Sequence, residues 1–193
     1  MRSARGISLL ELLISMTIGL LLLMVVSGLL VSLLGEQSRE RRQAQLGAMM
    51  DASLSLVAMD LRRAGFWNSD DDPSNNPFGN LYIEQDGRCL LYGYDDPAAT
   101  APKQRYFAFR LYQQRIQRRS SDQADWNCSA SGGWDDLSKP DVGVVSALRF
   151  RPAANGGAID IAVSAQTANG AEEEKLNIHT SVTLRNQPKV AER

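Results

Sequence analysis

The sequence has few of the residues on which enzymes most often depend. Among its 193 residues there is one histidine, His179, and there are two cysteines, Cys89 and Cys128. General acid–base catalysis draws most often on histidine, and metal sites need histidine, cysteine or carboxylate ligands at defined spacings. The sequence contains no zinc-ligand spacing, no phosphate-binding glycine loop and no serine in a nucleophile-elbow pattern. It therefore predicts a protein that is not an enzyme, with no catalytic residue, no metal and no cofactor, and with His179 in a structural role.

Net charge is also nearly absent, because 21 basic and 22 acidic side chains give a formal charge of -1. A chain with so little net charge creates no overall electrostatic field that attracts nucleic acid or anionic lipid. Binding of a charged partner would therefore depend on a local patch of charged side chains. The acidic run Asp70–Asp72 lacks the alternation and the glycine of a calcium-binding loop, so we expect a solvated turn there. Glu172–Glu174 is likewise interpreted as a solvated hairpin tip.

Proline is absent before Pro73, so nothing in the backbone forces a helix that starts at Ile7 to end for more than fifty residues. Apolar residues recur along it at steps of three and four, at Leu46, Met50, Leu54, Val57, Leu61 and Ala64. Gly65 follows, and glycine commonly adopts the left-handed conformation that ends a helix. The pattern predicts one helix that ends near Ala64 and whose second half, residues 35–65, faces a core.

Charged residues are missing from a stretch of 23 residues, Leu12–Leu34. A helix of that length spans roughly 34 Å, which is enough to cross a hydrocarbon core of about 30 Å. The sequence therefore predicts a membrane-spanning segment. Glu11 lies in the first turns of this helix, where an ionised carboxylate costs up to about 3 kcal/mol near the bilayer centre and needs a partner. Glu11 is thus a candidate functional residue.

The segment Gly6-Ile7-Ser8-Leu9-Leu10-Glu11, which follows a short basic leader, resembles the class III signal of type IV pilins and type II secretion pseudopilins. The resemblance implies that a prepilin peptidase cleaves between Gly6 and Ile7 and that the new terminus, Ile7, is N-methylated. It also implies that Glu11 pairs with the terminal amine of a neighbouring subunit during assembly. The sequence departs from the family in having Ile7 where phenylalanine is usual, and Gly28 where major pilins have a kinking proline.

Two other interpretations of the apolar segment are open. Val26-Ser27-Gly28 could imitate the cleavage site of a secretory signal, although the apolar run continues beyond it to Leu34. A plain signal anchor needs only charge and apolar length, and it leaves Glu11 unexplained.

Three further segments resemble PilW-type minor pilins. Leu56–Trp67 is similar to the end of the long helix in that group, and its Asp60-Leu61-Arg62 core is shared with J-type pseudopilins. Leu91–Asp95 and the closing Val182–Asn186 shift the resemblance toward the pilus proteins.

The resemblance implies an α+β fold, the type IV pilin fold, in which a long N-terminal transmembrane and stalk helix packs on an antiparallel β-sheet. It divides the chain into a leader peptide, the transmembrane and assembly half of the helix, its amphipathic half and a periplasmic β-rich headgroup, at residues 1–6, 7–34, 35–65 and 66–193. The implied function is that of a minor pilin in type IV pilus assembly, in a priming or tip complex. The alternatives are a J-type minor pseudopilin of type II secretion and a DNA-binding tip pilin.

The implied partners are other minor pilins, the major pilin and the prepilin peptidase. The implied location is the bacterial inner membrane, with the headgroup in the periplasm, and then the pilus fibre.

Beyond the acidic turn the pattern changes to the alternation of β-strands. The predicted strands are Leu81–Glu84, Cys89–Tyr94, Arg105–Tyr112, a return strand around Ile116, Val144–Phe150, Ile159–Val163 and Leu176–Leu184. Their short spacing indicates hairpins and an antiparallel sheet. An isolated pair of cysteines in an exported domain predicts a disulfide between Cys89 and Cys128, with two buried free thiols as the alternative.

Lys103–Arg119 is a basic patch without an acidic residue. Its cations are Lys103, Arg105, Arg110, Arg115, Arg118 and Arg119, interleaved with Tyr106, Phe107, Phe109 and Tyr112. Such a surface could hold nucleic acid by stacking and phosphate contacts. Strand alternation predicts instead that Phe107 and Phe109 are buried, while the arginines are solvated or pair with an acidic neighbouring subunit. We favour the second interpretation because it needs no further assumption.

Overall fold

The computed structural model describes residues 8–95, 105–123, 127–154, 156–168 and 175–192. Gly6, Ile7, Lys103 and the predicted hairpin tip Glu172–Glu174 lie outside the described residues. The chain forms two compact units, one ending at Arg42 and the other beginning at Gln43. The described part of the first unit is helical, and the second unit contains the end of the helix and the strands.

The helix, α1, begins at Leu9 and ends at Leu61. In the first unit its large apolar side chains are exposed, and a window of 18 residues has a mean hydropathy of 2.6 with none of it buried. So many exposed apolar side chains match the interior of a bilayer better than water. The helix is long and apolar enough to cross a membrane, as the sequence predicted.

In the second unit, α1 buries one stripe of side chains against the core. The buried positions are Leu46, Met50, Leu54, Val57 and Leu61, with Ala64 just beyond the helix. These are the six positions predicted from the three- and four-residue steps, so that prediction is confirmed. The N–H groups of Arg63 and Ala64 bond to the carbonyls of Asp60 and Leu61, and this tighter turn ends the helix at Leu61 rather than near Ala64. Gly65 follows with a φ of 81°, in the left-handed region predicted for it.

The strands of the described chain are β1 (Asn80–Glu84), β2 (Cys89–Gly93), β3 (Tyr106–Tyr112), β4 (Arg115–Ser121), β5 (Trp134–Asp136), β6 (Gly143–Pro152), β7 (Ala158–Thr167), β8 (Lys175–Thr183) and β9 (Lys189–Glu192). They form a six-stranded sheet in the order β5-β4-β3-β2-β1-β9 and a three-stranded sheet in the order β6-β7-β8. Neighbouring strands are antiparallel, except that β9 pairs parallel with β1.

Two hairpin turns of the six-stranded sheet contact β6 of the other sheet. The N–H of Val145 donates to the carbonyl of Gln114 at 2.9 Å, and the N–H of Phe150 donates to the carbonyl of Gly87 at 2.7 Å. At Gly87 a Cβ atom would lie 2.7 Å from the carbonyl oxygen of Phe150, and φ is 83°. Only glycine fits this turn, because a side chain would collide with β6 and strain the backbone.

The main core lies between α1 and the inner faces of the sheets, and its largest fully buried side chains include Tyr92, Phe109 and Phe150. Leu90 belongs to this core, whereas its neighbour Leu91 belongs to a second cluster. Successive side chains of a strand point to opposite faces, so the second cluster lies on the other face of the six-stranded sheet. It consists of Cys89, Leu91, Ala108 and Cys128, with Tyr82 and Trp134 packed against it.

The α+β fold with a long N-terminal apolar helix is confirmed, and each predicted strand coincides with an observed one. The sequence did not predict β5 or β9. Both strands are short, at three and four residues, so they carry too little alternation to be recognised. The predicted antiparallel arrangement has one exception among the described strands, β9, which lies parallel to β1.

Candidate functional site

Asp60 is the most deeply buried charged group where the helix meets the six-stranded sheet. Its carboxylate accepts hydrogen bonds from the hydroxyl of Tyr92 at 2.9 Å and from Nε of Arg118 at 2.9 Å, and Tyr94 donates at 3.4 Å. The side chain of Asp60 is 4% exposed and that of Arg118 is 23% exposed. We call these four residues the Asp60 cluster. They join α1 to β2 and β4, and their buried polar groups find hydrogen-bond partners within the cluster.

The cluster shifts the ionisation of its members. Burial raises the pKa of the Tyr92 hydroxyl well above its usual range, and the negative charge of Asp60 raises it further. The same two causes raise the pKa of Tyr94. Burial alone would lower the pKa of Arg118, but the neighbouring Tyr92 and Asp60 raise it above its ordinary value. Arg118 therefore carries its positive charge next to the carboxylate, and both tyrosines remain neutral donors.

The end of α1 is held by residues that are distant in sequence. The side-chain amide of Asn186 donates to the carbonyls of Arg63 and Ala64 at 3.2 and 3.1 Å. These carbonyls belong to the turn that follows the helix, where the carbonyl of Arg63 also accepts from the N–H of Phe66 at 3.0 Å. The ring of Pro188 packs 3.1 Å from the position that a Cβ atom would take on Gly65. The segment before β9 thus caps the helix.

A second ion pair lies close to this junction. Arg105 contacts Asp95 through Nη2 at 2.8 Å and through Nε at 2.9 Å. Asp95 is buried, and its N–H donates to the carbonyl of Phe66, which follows the helix. Arg105, predicted as a member of a partner or DNA patch, is therefore bound to a carboxylate of its own chain.

Arg110 is buried on the other face of the six-stranded sheet. Its guanidinium lies 3.8 Å from the ring centre of Trp134 and 4.4 Å from that of Tyr112. Nη1 donates to the carbonyl of Cys128 at 2.8 Å, and Nε donates to the side chain of Gln117 at 2.9 Å. Burial lowers the pKa of Arg110 from its ordinary value. The expectation that Arg110 is solvated is wrong, because the loop that carries Cys128 covers this face.

Arg115 and Arg119 are half-buried on β4. Nη1 of Arg115 contacts Asp136 of β5 at 2.7 Å, and Gln117 donates to the same carboxylate at 2.7 Å. Hydrogen bonds from Gln117 and Arg115 hold the pKa of Asp136 below its usual value. Arg119 lies opposite Trp134 in the ladder of β4 and β5.

The predicted basic patch is therefore not an open surface. Phe107 and Phe109 are buried, as strand alternation predicted, so they offer no ring faces for bases to stack on. Tyr112 is exposed, with 47% of its area accessible. Arg105, Arg115 and Arg118 pair with carboxylates of the same chain, which differs from the expected pairing with a neighbouring subunit.

Cys89 and Cys128, which are 39 positions apart in sequence, form a disulfide with their Cα atoms 6.1 Å apart. The bond ties the covering loop to β2 beneath Arg110, whose partners include the carbonyl of Cys128. The disulfide and the stacked arginine together hold the second apolar cluster closed.

Glu11 lies in the first turn of α1, and its side chain is exposed in the isolated chain. The hydroxyl of Ser15 donates to the backbone carbonyl of Glu11 at 2.7 Å. Within the described part of the chain, no group of three or more histidine, cysteine or carboxylate side chains is placed to hold a metal ion. His179 is exposed on β8 and lines a trough of about 660 Å³ on the outer face of the three-stranded sheet.

Reasoning from the sequence did not single out the Asp60 cluster or the helix cap. One signal for Asp60 was present, because this carboxylate stands between Val57 and Leu61 on the apolar stripe, where a charge needs a buried partner. Tyr92, Arg118 and Asn186 carry no such local signal, because only the strand register brings them to the helix.

Two sequence families match the chain. The prokaryotic N-terminal methylation motif matches residues 1–27, and the family described as prepilin peptidase-dependent protein B matches residues 39–193. Neither the comparison with curated proteins nor that with solved structures gave a match. The first family places a prepilin-type signal on the apolar helix, and the second covers the end of that helix and the whole β-rich part. The chain therefore belongs to the prepilin peptidase-dependent protein B family, and it is a type IV pilin-like protein.

Proposed function

We propose that this chain is a PilW-type minor pilin that takes part in assembly of the type IV pilus, in a priming or tip complex. The observation that carries the proposal is the order of features along the chain. A methylation motif at residues 1–27 leads into an exposed apolar helix, and a family domain dependent on prepilin peptidase follows at 39–193. A protein built in this order acts by binding other subunits.

The role of Glu11 follows from its position. It is the one carboxylate at the start of an apolar run that extends to Leu34. An ionised carboxylate within a membrane is stable only beside a partner. After cleavage behind Gly6, the amine of Ile7 in a neighbouring subunit carries the opposite charge and supplies that partner. We assign to Glu11 the alignment of neighbouring subunits through this ion pair during assembly.

The internal pairing of the basic strands argues against a DNA-binding tip pilin. For Arg105, Arg115 or Arg118 to contact phosphate, each would have to leave a carboxylate at 2.7 to 2.9 Å. For Arg118 this would leave the buried carboxylate of Asp60 without its charged partner, which would lower the free energy of unfolding by about 3–5 kcal/mol. The second candidate is a J-type pseudopilin of type II secretion, which the motif Asp60-Leu61-Arg62 favours because that core is shared with such proteins.

The experiment is complementation of a strain that lacks this chain. Full-length protein and the Glu36→Ala variant should restore pili, because Glu36 lies beyond the apolar run and serves as the matched carboxylate control. Glu11→Ala should be cleaved normally but should not restore pili. Pili are counted by electron microscopy, and cleavage is followed by the intact mass of the membrane-extracted protein.

Normal piliation with Glu11→Ala would contradict the role of this residue. If the strain that lacks the chain keeps its pili and loses protein secretion instead, the pseudopilin assignment replaces the minor pilin.

A further inference from the structure

A polar pocket of about 640 Å³ lies where the turns of two hairpins, β1–β2 and β3–β4, meet the loop that carries Cys128. Its volume falls within the roughly 300–1,000 Å³ of small-ligand sites. The lining includes the guanidinium residues Arg88 and Arg110 and the hydroxyl residues Ser129 and Ser131. No carboxylate belongs to the lining that the described residues form. Two cations therefore border this space without an acidic residue beside them.

The walls of the pocket are held in place by covalent and backbone contacts. The disulfide ties the loop at Cys128 to β2. The N–H of Leu111 donates to the carbonyl of Arg88 at 3.0 Å, which joins one hairpin to the other. Both hairpin turns also accept N–H groups from β6. A site on fixed elements loses little conformational entropy when it binds a ligand.

Arg110 is the most deeply buried cation of the pocket, with 7% of its area accessible. Its hydrogen-bond partners are neutral, because Nε donates to the amide of Gln117 and Nη1 donates to the carbonyls of Cys128 and Ala130. The described residues form no hydrogen bond with its Nη2 and no ion pair with its guanidinium. Buried charges are normally paired with an opposite charge. One edge of a buried guanidinium is thus still open to an anion.

The acidic residues on this face of the sheet are not placed to neutralise Arg110. Asp136 is engaged by Nη1 of Arg115 at 2.7 Å. Glu84 lies on the same face, but Cys89 stands between Glu84 and Arg110 in the strand ladder. The positive charge of Arg110 therefore remains without a counter-charge in the described part of the chain.

Arg119 adds a second positive charge to this region. Burial is the main cause that lowers the pKa of Arg110, Tyr112 opposes the shift, and the charge of Arg119 lowers the pKa further. Nη1 of Arg119 is buried, and none of the described residues gives it a hydrogen-bond partner. An anion beside Arg110 would offset this repulsion between the two guanidinium groups.

We propose that this pocket is a binding site for a carboxylate group. The donors that we assign to it are Nη2 of Arg110 and the guanidinium of Arg88, because charge-assisted N–H bonds to a carboxylate are strong. The hydroxyls of Ser129 and Ser131 supply further donors on the wall of the pocket. The group belongs either to a small acid or to an acidic side chain of a partner protein, which present the same chemistry.

The surroundings of Arg110 favour a carboxylate over a phosphate. The carbonyl oxygens of Cys128 and Ala130 lie 2.8 and 3.2 Å from Nη1, so acceptors already occupy that side of the guanidinium. A phosphate group brings three strong acceptor oxygens, and a carboxylate brings two. The group with fewer oxygens needs fewer donors and meets less repulsion from these carbonyls.

The test is a nitrogen-15 NMR titration of the full chain in detergent with acetate, phosphate or chloride, added separately at equal ionic strength. The signals are Nε–H of Arg110 and the indole N–H of Trp134, whose ring lies 3.8 Å from this guanidinium. The indole signal is assigned by its loss in Trp134→Phe. Acetate should shift both signals and reach saturation, phosphate should bind more weakly, and chloride should leave both signals in place.

Variants of the chain test the assigned donors. Arg88→Gln, at an exposed position, should weaken acetate binding by about tenfold, since it removes one charge-assisted contact. Arg110→Met should abolish binding, and Arg88→Gln carries the test if Arg110→Met does not fold. Arg62→Gln, at an exposed helix position, is the matched charge control and should bind acetate normally.

Asp125 lies outside the described residues but close in sequence to Cys128. Asp125→Asn should bind acetate with unchanged affinity. Tighter binding by this variant would show that a carboxylate of the chain itself fills the pocket, and it would overturn the proposal.

Three other results would also overturn the proposal: no saturable shift with acetate, an equal shift with chloride, or tighter binding of phosphate than of acetate. A blocked tripeptide with glutamate between two glycines identifies the source of the group. Tighter binding of the peptide than of acetate would assign the carboxylate to a protein partner, and weaker binding would assign it to a small acid; both results support the site. The titration needs no pilus, so its outcome is independent of the function proposed above.

Discussion

The Nε atom of Arg118 lies 2.9 Å from Oδ2 of Asp60, and this contact joins α1 to β4 across 58 positions of sequence. Both side chains are largely withdrawn from water, so each charge depends on the other to offset the cost of its lost hydration. Tyr92 and Tyr94 complete the hydrogen bonding of the carboxylate. The helix is thereby fixed in register against the sheet at its last turns.

Asp60→Ala should lower the free energy of unfolding by about 3–5 kcal/mol, because it leaves the charge of Arg118 partly buried without a partner. The measurement is denaturant-induced unfolding of the full chain in detergent, followed by near-ultraviolet circular dichroism. Asp136→Ala is the control, since its pair with Arg115 is about one third exposed and should contribute less than about 1 kcal/mol. Equal losses for the two variants would contradict the buried role of Asp60.

Stability should fall at alkaline pH through Tyr92 and Tyr94. The folded protein raises the pKa of both hydroxyls above the value of about 10 found in an unfolded chain. Below that pH both states keep the protons, so the contribution of the tyrosines is fully present. Above it the unfolded chain loses protons that the folded chain retains, and the free energy of unfolding decreases.

Unfolding measured from pH 8 to 11.5 should show this alkaline loss, and Tyr92→Phe should remove much of it. At neutral pH the same variant should be less stable by about 1–3 kcal/mol, because the buried carboxylate loses a donor. Tyr112→Phe lies outside the cluster and should keep the alkaline loss. An unchanged profile for Tyr92→Phe would show that the alkaline loss arises elsewhere.

Removing the disulfide by Cys89→Ser with Cys128→Ser should lower stability by about 4 kcal/mol, from the loop entropy restored to the unfolded chain. The second apolar cluster should loosen first, because the bond holds the loop that covers Arg110. Non-reducing peptide mapping of protein from its native envelope should find the linked pair. Alkylation of both cysteines in the absence of reductant would contradict the presence of the disulfide.

Processing should yield a chain that begins at methylated Ile7. Intact mass of the membrane-extracted protein should match this form, and Gly6→Ala should retain the leader, because the peptidase recognises the glycine. Ser3→Ala, within the leader, is the matched control and should be cleaved normally. A mature chain that starts at Leu29 would identify an ordinary secretory signal instead.

The sequence predicted those parts of the fold that depend on local periodicity. Helical steps from Leu46 to Ala64 identify the buried stripe because neighbouring turns share one face. Alternation likewise places Phe107 and Phe109 in the core. β9 was missed because four residues cannot display a period and its partner, β1, lies at the opposite end of the β-rich part.

The partners of the arginines could not be predicted in the same way. Alternation assigns Arg110 to the face opposite Phe109, but it does not tell whether that face meets water. The face is covered by the loop around Cys128, which reaches it through a disulfide between residues 39 positions apart. The partner of Arg118 lies on another element, so the pair depends on how the helix docks on the sheet.

The cap on the helix by Asn186 imposes an order on biosynthesis. Asn186 follows Arg63 by 123 positions, so at about 5–20 residues per second the ribosome makes the cap roughly 6 to 25 seconds after the helix end. During that interval the turn after the helix lacks the hydrogen bonds from Asn186, and β1 lacks its parallel neighbour β9. The packing of the helix end and of the first strand of the six-stranded sheet is therefore completed by residues near the opposite end of the β-rich part, Asn186 and β9.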